Sequence, residues 1–250
     1  MDTFDYIIVG GGSAGSVMAN RLSAKPGNRV LLIEAGPDTP HGDIPPEVHS
    51  SYPGVAYFDP RFHWTELKVT TRPKRHNDPS YQPPKRSYEQ ARIMGGGSSI
   101  NGQLLNRGAP TDFDGWRDMG VAGWGWDDVL PYFKKSEDYV DGPSDLHGAG
   151  GEWRVENQRL HWDVLDDGKQ AAIQYGLPEC DDFNTGDNEG VGYFRVNQRK
   201  GWRINTAKAF LRSAQKNLLR VETHAHTQRV LFDGRRAVGV EFEQHGEVKT

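Results

Sequence analysis

The chain has 250 residues, 35% of them hydrophobic, with 30 Gly, 15 Pro and a single Cys, and 34 acidic against 30 basic side chains leave a net charge of -4. That is enough for one large or two small domains with a sizeable core. The mean hydropathy of -0.74 and the many Gly and Pro imply much loop and a unit belonging to something larger. No basic footprint predicts nucleic-acid binding, one cysteine excludes a disulfide framework or a multi-cysteine metal site, no long apolar span predicts a membrane helix, and a strand begins at Tyr6 with no room for a secretory signal, so a cytoplasmic protein is expected.

The first element predicted is an apolar strand, Tyr6-Ile7-Ile8-Val9, which breaks into Gly10-Gly11-Gly12-Ser13-Ala14-Gly15. Residues 16–22 then carry apolar side chains at helical spacing, Pro26-Gly27-Asn28 turns the chain, and Val30-Leu31-Leu32-Ile33 forms a second strand ending on Glu34. This is a dinucleotide-binding fingerprint. Gly10 allows the sharp turn, Gly12 lets the backbone approach a pyrophosphate, and Gly15 lets the helix pack on the sheet. The free N–H groups of the first turn, around Ser13 and Ala14, would hold the phosphates. Glu34 lies at the distance where an acid meets a ribose hydroxyl pair; its charge would repel a ribose phosphate, so FAD or NAD fits and NADP does not. A βαβ unit with no dinucleotide would use the same glycines.

A long stretch rich in Pro, Gly and aromatics follows, over residues 36–88, with residues 63–69 alternating like a short strand. The basic cluster at residues 72–76 is expected to be solvated loop. A second glycine cluster, Gly95-Gly96-Gly97-Ser98-Ser99-Ile100-Asn101-Gly102, would allow backbone amides close to a ligand, with Ser98, Ser99 and Asn101 as hydrogen-bonding groups; it could equally be a close-packed helix start. Residues 112–138 read as two short helices joined at 120–125, their aromatics assigned to the core and Asp127 to the cap of the second. A Gly/Pro/Asp loop at 141–151 suits a domain crossover, helices are expected over 160–175 and 206–216, and the tail alternates as antiparallel strands, with Leu219 and Val221 included. His224 and His226 are expected on the surface, and no metal site is predicted.

These residues together resemble the glucose–methanol–choline (GMC) flavoprotein oxidoreductases. The resemblance runs from Asp5-Tyr6-Ile7-Ile8-Val9 through the first glycine cluster and Arg92-Ile93-Met94-Gly95-Gly96-Gly97-Ser98-Ser99-Ile100-Asn101. It continues through Arg107-Gly108, Asp112-Phe113-Asp114-Gly115-Trp116, Gly123-Trp124-Gly125-Trp126 and Leu130-Pro131-Tyr132-Phe133 to Asp182-Phe183-Asn184 and Gly201-Trp202-Arg203. It implies an α/β fold: a Rossmann-like FAD-binding domain with an inserted, here incomplete, α+β substrate domain. The parts are expected over residues 1–150 (FAD-binding), 151–212 (first part of the substrate domain) and 213–250 (return to the FAD-binding domain).

The resemblance implies FAD held by Gly10, Gly12, Ser13, Ala14 and Gly15 at the pyrophosphate and by Glu34 at the ribose. Gly96, Gly97, Asn101, Gly102, Gln103 and Leu104 would lie along the isoalloxazine, and the Thr227 backbone would contact the adenine. Ala35, Trp64 and Arg92 complete the implied cofactor-binding set. Ile100 stands where some relatives attach FAD to a histidine, so non-covalent FAD is implied. The implied reaction is oxidation of a small-molecule alcohol to an aldehyde or ketone, with oxygen or a quinone-type acceptor reoxidising the flavin. The histidine that acts as base in the family matches none of the nine here, so no catalytic residue is assigned, and a complementing C-terminal polypeptide is one way to supply it. A flavin-dependent lyase or photoenzyme on the same scaffold remains an alternative.

Overall fold

The computed structural model describes residues 3–250 apart from 41, 73–76, 79 and 215–216, so most of the basic cluster and the end of the helix expected over 206–216 lie outside the described residues. Strand β1 (Tyr6–Val9) and strand β2 (Val30–Ile33) pair in parallel, Tyr6 opposite Val30 and Val9 opposite Ile33. All four residues of β2 are buried, as an unbroken apolar run in a central parallel strand should be. The helix α1 (Ser13–Ser23) makes the crossover.

The third strand of this sheet is Leu219–Glu222, and it corrects the expectation for that segment. It lies parallel to β2, with Leu219 opposite Val30, in the order β1, β2, Leu219–Glu222. Alternation of Leu219 and Val221 specifies a strand but not its direction, which is set by the long chain excursion between β2 and residue 219.

Side-chain alternation along β2 divides the core in two. Val30 and Leu32 join Ile8, Ala19, Met94 and Ala207 on the α1 side. Leu31 and Ile33 face the other way, onto Ala225, Val240 and Phe242 of an antiparallel meander, Ala225–Asp233, Arg236–Gln244 and Glu247–Lys249. The sheet is therefore covered by a helix on one face and by the meander on the other.

Several local expectations change. The strand predicted over 63–69 is two short pairings: residues 62–64 run beside 90–92, with Arg92 N–H donating to Phe62 O at 2.7 Å and Trp64 N–H to Gln90 O at 2.9 Å, and only Lys68–Thr70 pairs with Lys85–Ser87. The helices Pro110–Asp118 and Trp126–Ser136 form, but their aromatics are not core. Phe113 alone is buried, while Trp116, Trp124 and Tyr132 stay exposed, because the two helices pack on each other through Phe113, Trp126 and Phe133 and leave an open outer face. The second helix starts one residue before Asp127. The Asp128 carboxylate accepts from Gly125 N–H at 3.0 Å and Asp114 from Trp126 N–H at 3.0 Å, so Asp127 caps nothing. The 206–216 segment contracts to a π-type turn at Ala207–Leu211, with Ala207 and Phe210 inward. Asp163–Tyr175 is a helix, ended by Gly176 at φ +108°. Among the described residues no helix is long and apolar enough to cross a membrane, and no His, Cys, Asp and Glu group could hold a metal.

Beside the strands Glu137–Tyr139 and Trp153–Asn157 lies a buried ionic cluster not foreseen from the sequence. His147 Nδ1 sits 3.0 Å from Glu137 Oε2 and its Nε2 2.8 Å from Asp182 Oδ2, Arg107 donates to Glu137 Oε1 at 2.7 Å, and Tyr139 Oη donates to Asp182 at 3.1 Å. Burial works against the charged imidazole, but the hydrogen bonds to Asp182 and Glu137 outweigh it and raise the His147 pKa to about 9. Burial likewise opposes the charged forms of Asp182 and Glu137, yet the His147 bonds and nearby backbone N–H groups hold both below their ordinary values. The His147 contribution to stability is thus complete below its ordinary 6.5 and lost as pH rises through about 9, while the carboxylate contributions are lost in acid. Thermal unfolding followed between pH 6 and 10 is expected to show a falling melting temperature that a His147→Gln variant does not share. At pH 6 that variant should be destabilised by about 3 kcal/mol, because two carboxylates lose a buried partner.

Candidate cofactor site

The two glycine clusters meet backbone to backbone. Gly10, at φ +96°, turns the chain out of β1, and Gly95 N–H donates to Gly11 O at 2.8 Å. A Cβ on Gly96 would lie 2.6 Å from the Gly12 Cα, one on Gly11 would collide with the Met94 sulfur, and one on Gly15 would overlap the Gly10 carbonyl oxygen. Gly15 and Gly96, which face backbone atoms, therefore accept no side chain, whereas at Gly11 the flexible end of Met94 would have to move. Gly96 is also at φ +54°, in the left-handed region that favours glycine.

Glu34 ties this junction together. Its Oε2 accepts from Gly11 N–H at 2.7 Å and its Oε1 from Gly36 N–H at 2.8 Å, and it is 7% exposed. Burial raises its pKa, with the Gly36, Gly11 and Ala35 N–H groups and the Arg92 charge pulling the other way. Each carboxylate oxygen keeps a lone pair for a further donor such as a ribose hydroxyl. Ser13 and Ala14 are exposed on the first turn of α1, which holds no acidic side chain, so its free N–H groups remain open to an anion.

The second cluster presents Gly97, Asn101, Gly102 and Leu104 as exposed residues, with Gly97 opening the short turn Gly97–Ile100. Ser98 and Ser99 do not join them, contrary to their expected role. Ser98 Oγ donates to Gly95 O at 2.6 Å and accepts from Thr206 N–H at 2.9 Å; Ser99 Oγ donates to Met94 O at 2.8 Å and accepts from Asn205 Nδ2 at 2.8 Å. Both hydroxyls are consumed in holding residues 205–206 against the cluster. Gln103 belongs to the face through its backbone alone: it is at φ 64°, and its buried side chain turns away to donate to Ser50 O at 3.1 Å and accept from Gln198 Nε2 at 2.7 Å.

At the other end, Ala35, Trp64, Arg92 and His226 gather. Arg92 Nε donates to Ala35 O at 3.3 Å, its guanidinium lies 4.8 Å from the Trp64 ring centroid, and that ring is 5.0 Å from the ring of His226, the neighbour of Thr227. The Thr227 hydroxyl is buried without a hydrogen-bond partner.

A family model described as GMC oxidoreductase matches residues 4–250. The chain belongs to the GMC oxidoreductase family. It is 47% identical over 199 residues to a 5-(hydroxymethyl)furfural oxidase of Methylovorus sp. (strain MP688), covering 75% of this chain and 36% of the relative. It is 38% identical to an alcohol dehydrogenase [acceptor] of Pseudomonas putida, covering 99% of this chain and 44% of the relative. Among solved structures, pyridoxine 4-oxidase from Mesorbium loti superposes with a TM-score of 0.84 at 29% identity, covering 99% of this chain and 47% of that one. The chain thus spans less than half the length of these relatives. The Rossmann-type FAD-binding fold implied by the resemblance is the fold observed.

The GMC chain fits FAD by its own geometry: a close approach of Gly96 to Gly12 that leaves no room for a Cβ on Gly96, beside an uncapped helix start. Sequence reasoning missed Asn205 and Thr206, whose spacing carries no motif and whose partners, Ser98 and Ser99, lie more than a hundred residues earlier. A Gly96→Ala variant is expected to lose about 2 kcal/mol, from the clash with Gly12 and the left-handed φ, and to bind FAD at least tenfold more weakly. Gly97→Ala, with nothing within 4 Å of its Cβ, is expected to keep its melting temperature; thermal denaturation and flavin-fluorescence titration of the two variants check this.

Proposed function

We propose that this chain is the FAD-cradling part of an oxidoreductase that converts a small-molecule alcohol to an aldehyde or ketone. The observation that carries this reading is the junction of residues 10–15 with 95–97, followed by the exposed residues Gly97, Asn101, Gly102 and Leu104. Gly10, Gly12, Ser13, Ala14 and Gly15 would hold the pyrophosphate, Glu34 the ribose, and Ala35, Trp64, Arg92 and the Thr227 backbone the adenosine end. Gly96, Gly97, Asn101, Gly102, Gln103 and Leu104 would border the isoalloxazine. Bound FAD supplies the hydride acceptor, and backbone N–H groups along residues 96–104 would stabilise the charge it gains. Ile100, buried and aliphatic, offers no covalent attachment, so FAD is held non-covalently. The Methylovorus and Pseudomonas relatives are named for an alcohol-bearing furan and for alcohol oxidation, which supports an alcohol as substrate class. Oxygen or a quinone-type acceptor would complete the cycle, in the cytoplasm. Residues 1–150 and 213–250 would form the FAD-binding domain and 151–212 the start of the substrate domain, a partition supported by the return of Leu219–Glu222 to β2.

The base that takes the alcohol proton would come from polypeptide outside residues 1–250. The open side of the sheet supports this. Tyr6, Ile7 and Val9 of β1 are exposed at 44%, 37% and 54%, and an apolar cavity of about 800 Å³ lies between Phe4, Ile7, Leu31, Val240 and Phe242. In flavin-fluorescence titrations residues 1–250 alone are expected to hold FAD weakly, and anaerobic addition of primary, aromatic or polyol alcohols should leave the flavin absorbance unchanged. Bleaching should appear only with the complementing polypeptide present. Alcohol-driven bleaching by residues 1–250 alone would sink the requirement for a second part, and absence of FAD binding in both preparations would sink the cofactor reading.

A further inference from the structure

Arg203 is a buried cation with no acid to neutralise it among the described residues. It is 2% exposed, and all its hydrogen bonds go to carbonyl oxygens: Nε to Val48 O at 3.0 Å, and Nη1 to Ser98 O at 3.1 Å, Asn101 O at 2.9 Å and Asn101 Oδ1 at 3.0 Å. Its Nη2 is buried without a partner. Burial lowers its pKa to about 10, which still leaves it charged at neutral pH. An isolated interior charge is costly, and a chain that needed only to fill this space would fill it with an apolar side chain.

The cost coincides with a defined orientation at Asn101. The Asn101 Oδ1 receives two donors, Arg203 Nη1 at 3.0 Å and Gln103 N–H at 3.1 Å. A side-chain amide whose oxygen sits between two donors cannot be flipped without facing N–H groups toward N–H groups, so the identity of its two ends is decided. Asn101 is exposed, as are its neighbours Gly97, Gly102 and Leu104, so the free end of its amide is the Nδ2 donor. The guanidinium behind it withdraws charge through the amide and strengthens that donor.

We infer that Arg203 is a positioning residue: it fixes and polarises the Asn101 amide so that a strengthened N–H donor faces the cofactor and favours the form of FAD that carries added negative charge. This rests on the cofactor reading above. Substitution should therefore change the preference for reduced over oxidised flavin more than it changes overall FAD retention.

The test measures the ratio of affinities for reduced and oxidised flavin in the FAD-loaded protein, by spectral titration against a reference redox dye. Arg203→Met is expected to lower that ratio at least tenfold, about 30 mV for a two-electron couple. Arg203→Lys, which keeps the charge, should stay within threefold of the parent. Asn101→Ala should also lower the ratio at least tenfold, and the double variant should fall no more than threefold below either single one, because both act through one amide. Should Arg203→Met fail to fold, Asn101→Asp carries the test: Arg203 keeps a partner, the outward edge becomes an acceptor, and the ratio should again fall at least tenfold. A ratio unchanged in the folded variants, or additive effects in the double variant, overturns the inference while leaving the cofactor reading intact. A parent protein, residues 1–250 together with the complementing polypeptide, that retains no FAD overturns the cofactor reading, and this inference with it.

Discussion

The contact on which this molecule depends is the approach of two backbones, residues 10–12 and 95–97, to a separation that requires glycine at position 96. One hydrogen bond, Gly95 N–H to Gly11 O, and the abutting Cα positions of Gly12 and Gly96 bring together segments separated by a long, weakly structured excursion. Without that approach the start of α1 and the face carrying Asn101 would belong to different surfaces. With it they border one cleft, in which a positive helix end stands beside a row of exposed backbone groups.

Holding such a junction engages most of the buried polar groups around it. Glu34 accepts from Gly11 and Gly36, and the hydroxyls of Ser98 and Ser99 bind the Gly95 and Met94 carbonyls while receiving Thr206 and Asn205. Arg203 gathers the Val48, Ser98 and Asn101 carbonyls from behind. The polar side chains nearest the glycines are therefore mostly framework. What the cleft offers outward is backbone, the donor end of Asn101, and small or apolar groups.

How much of this was legible in advance depended on the range of the interaction. The βαβ unit was readable because a buried strand, a glycine turn and a helical apolar face succeed one another within about thirty residues, each with local steric causes. Glu34 was legible from its spacing, whereas its hold on the Gly11 and Gly36 N–H groups was not. The serines beside Gly97 looked outward in a linear reading, since nothing nearby in sequence competes for them; their partners sit on residues 205–206. The aromatics of 110–136 looked like core for the same reason. Helical spacing shows that a face is apolar but not what covers it, and here Phe113 is covered by the companion helix while Trp124 and Tyr132 are not. The His147 cluster had no signature, because Arg107, Glu137, His147 and Asp182 meet only through the fold.

The amino-acid sequence by itself determined the places where backbone freedom or absence of a side chain is obligatory, the strands that must be buried, and through these the family and its nucleotide-binding architecture. These are local properties, fixed by sterics within a few residues. The tertiary structure alone decided the direction of the Leu219–Glu222 strand, which hydroxyls face inward, and which end of Asn101 looks out. Those outcomes depend on donors and acceptors brought together from distant parts of the chain, and a buried polar group must choose among the partners that folding places beside it.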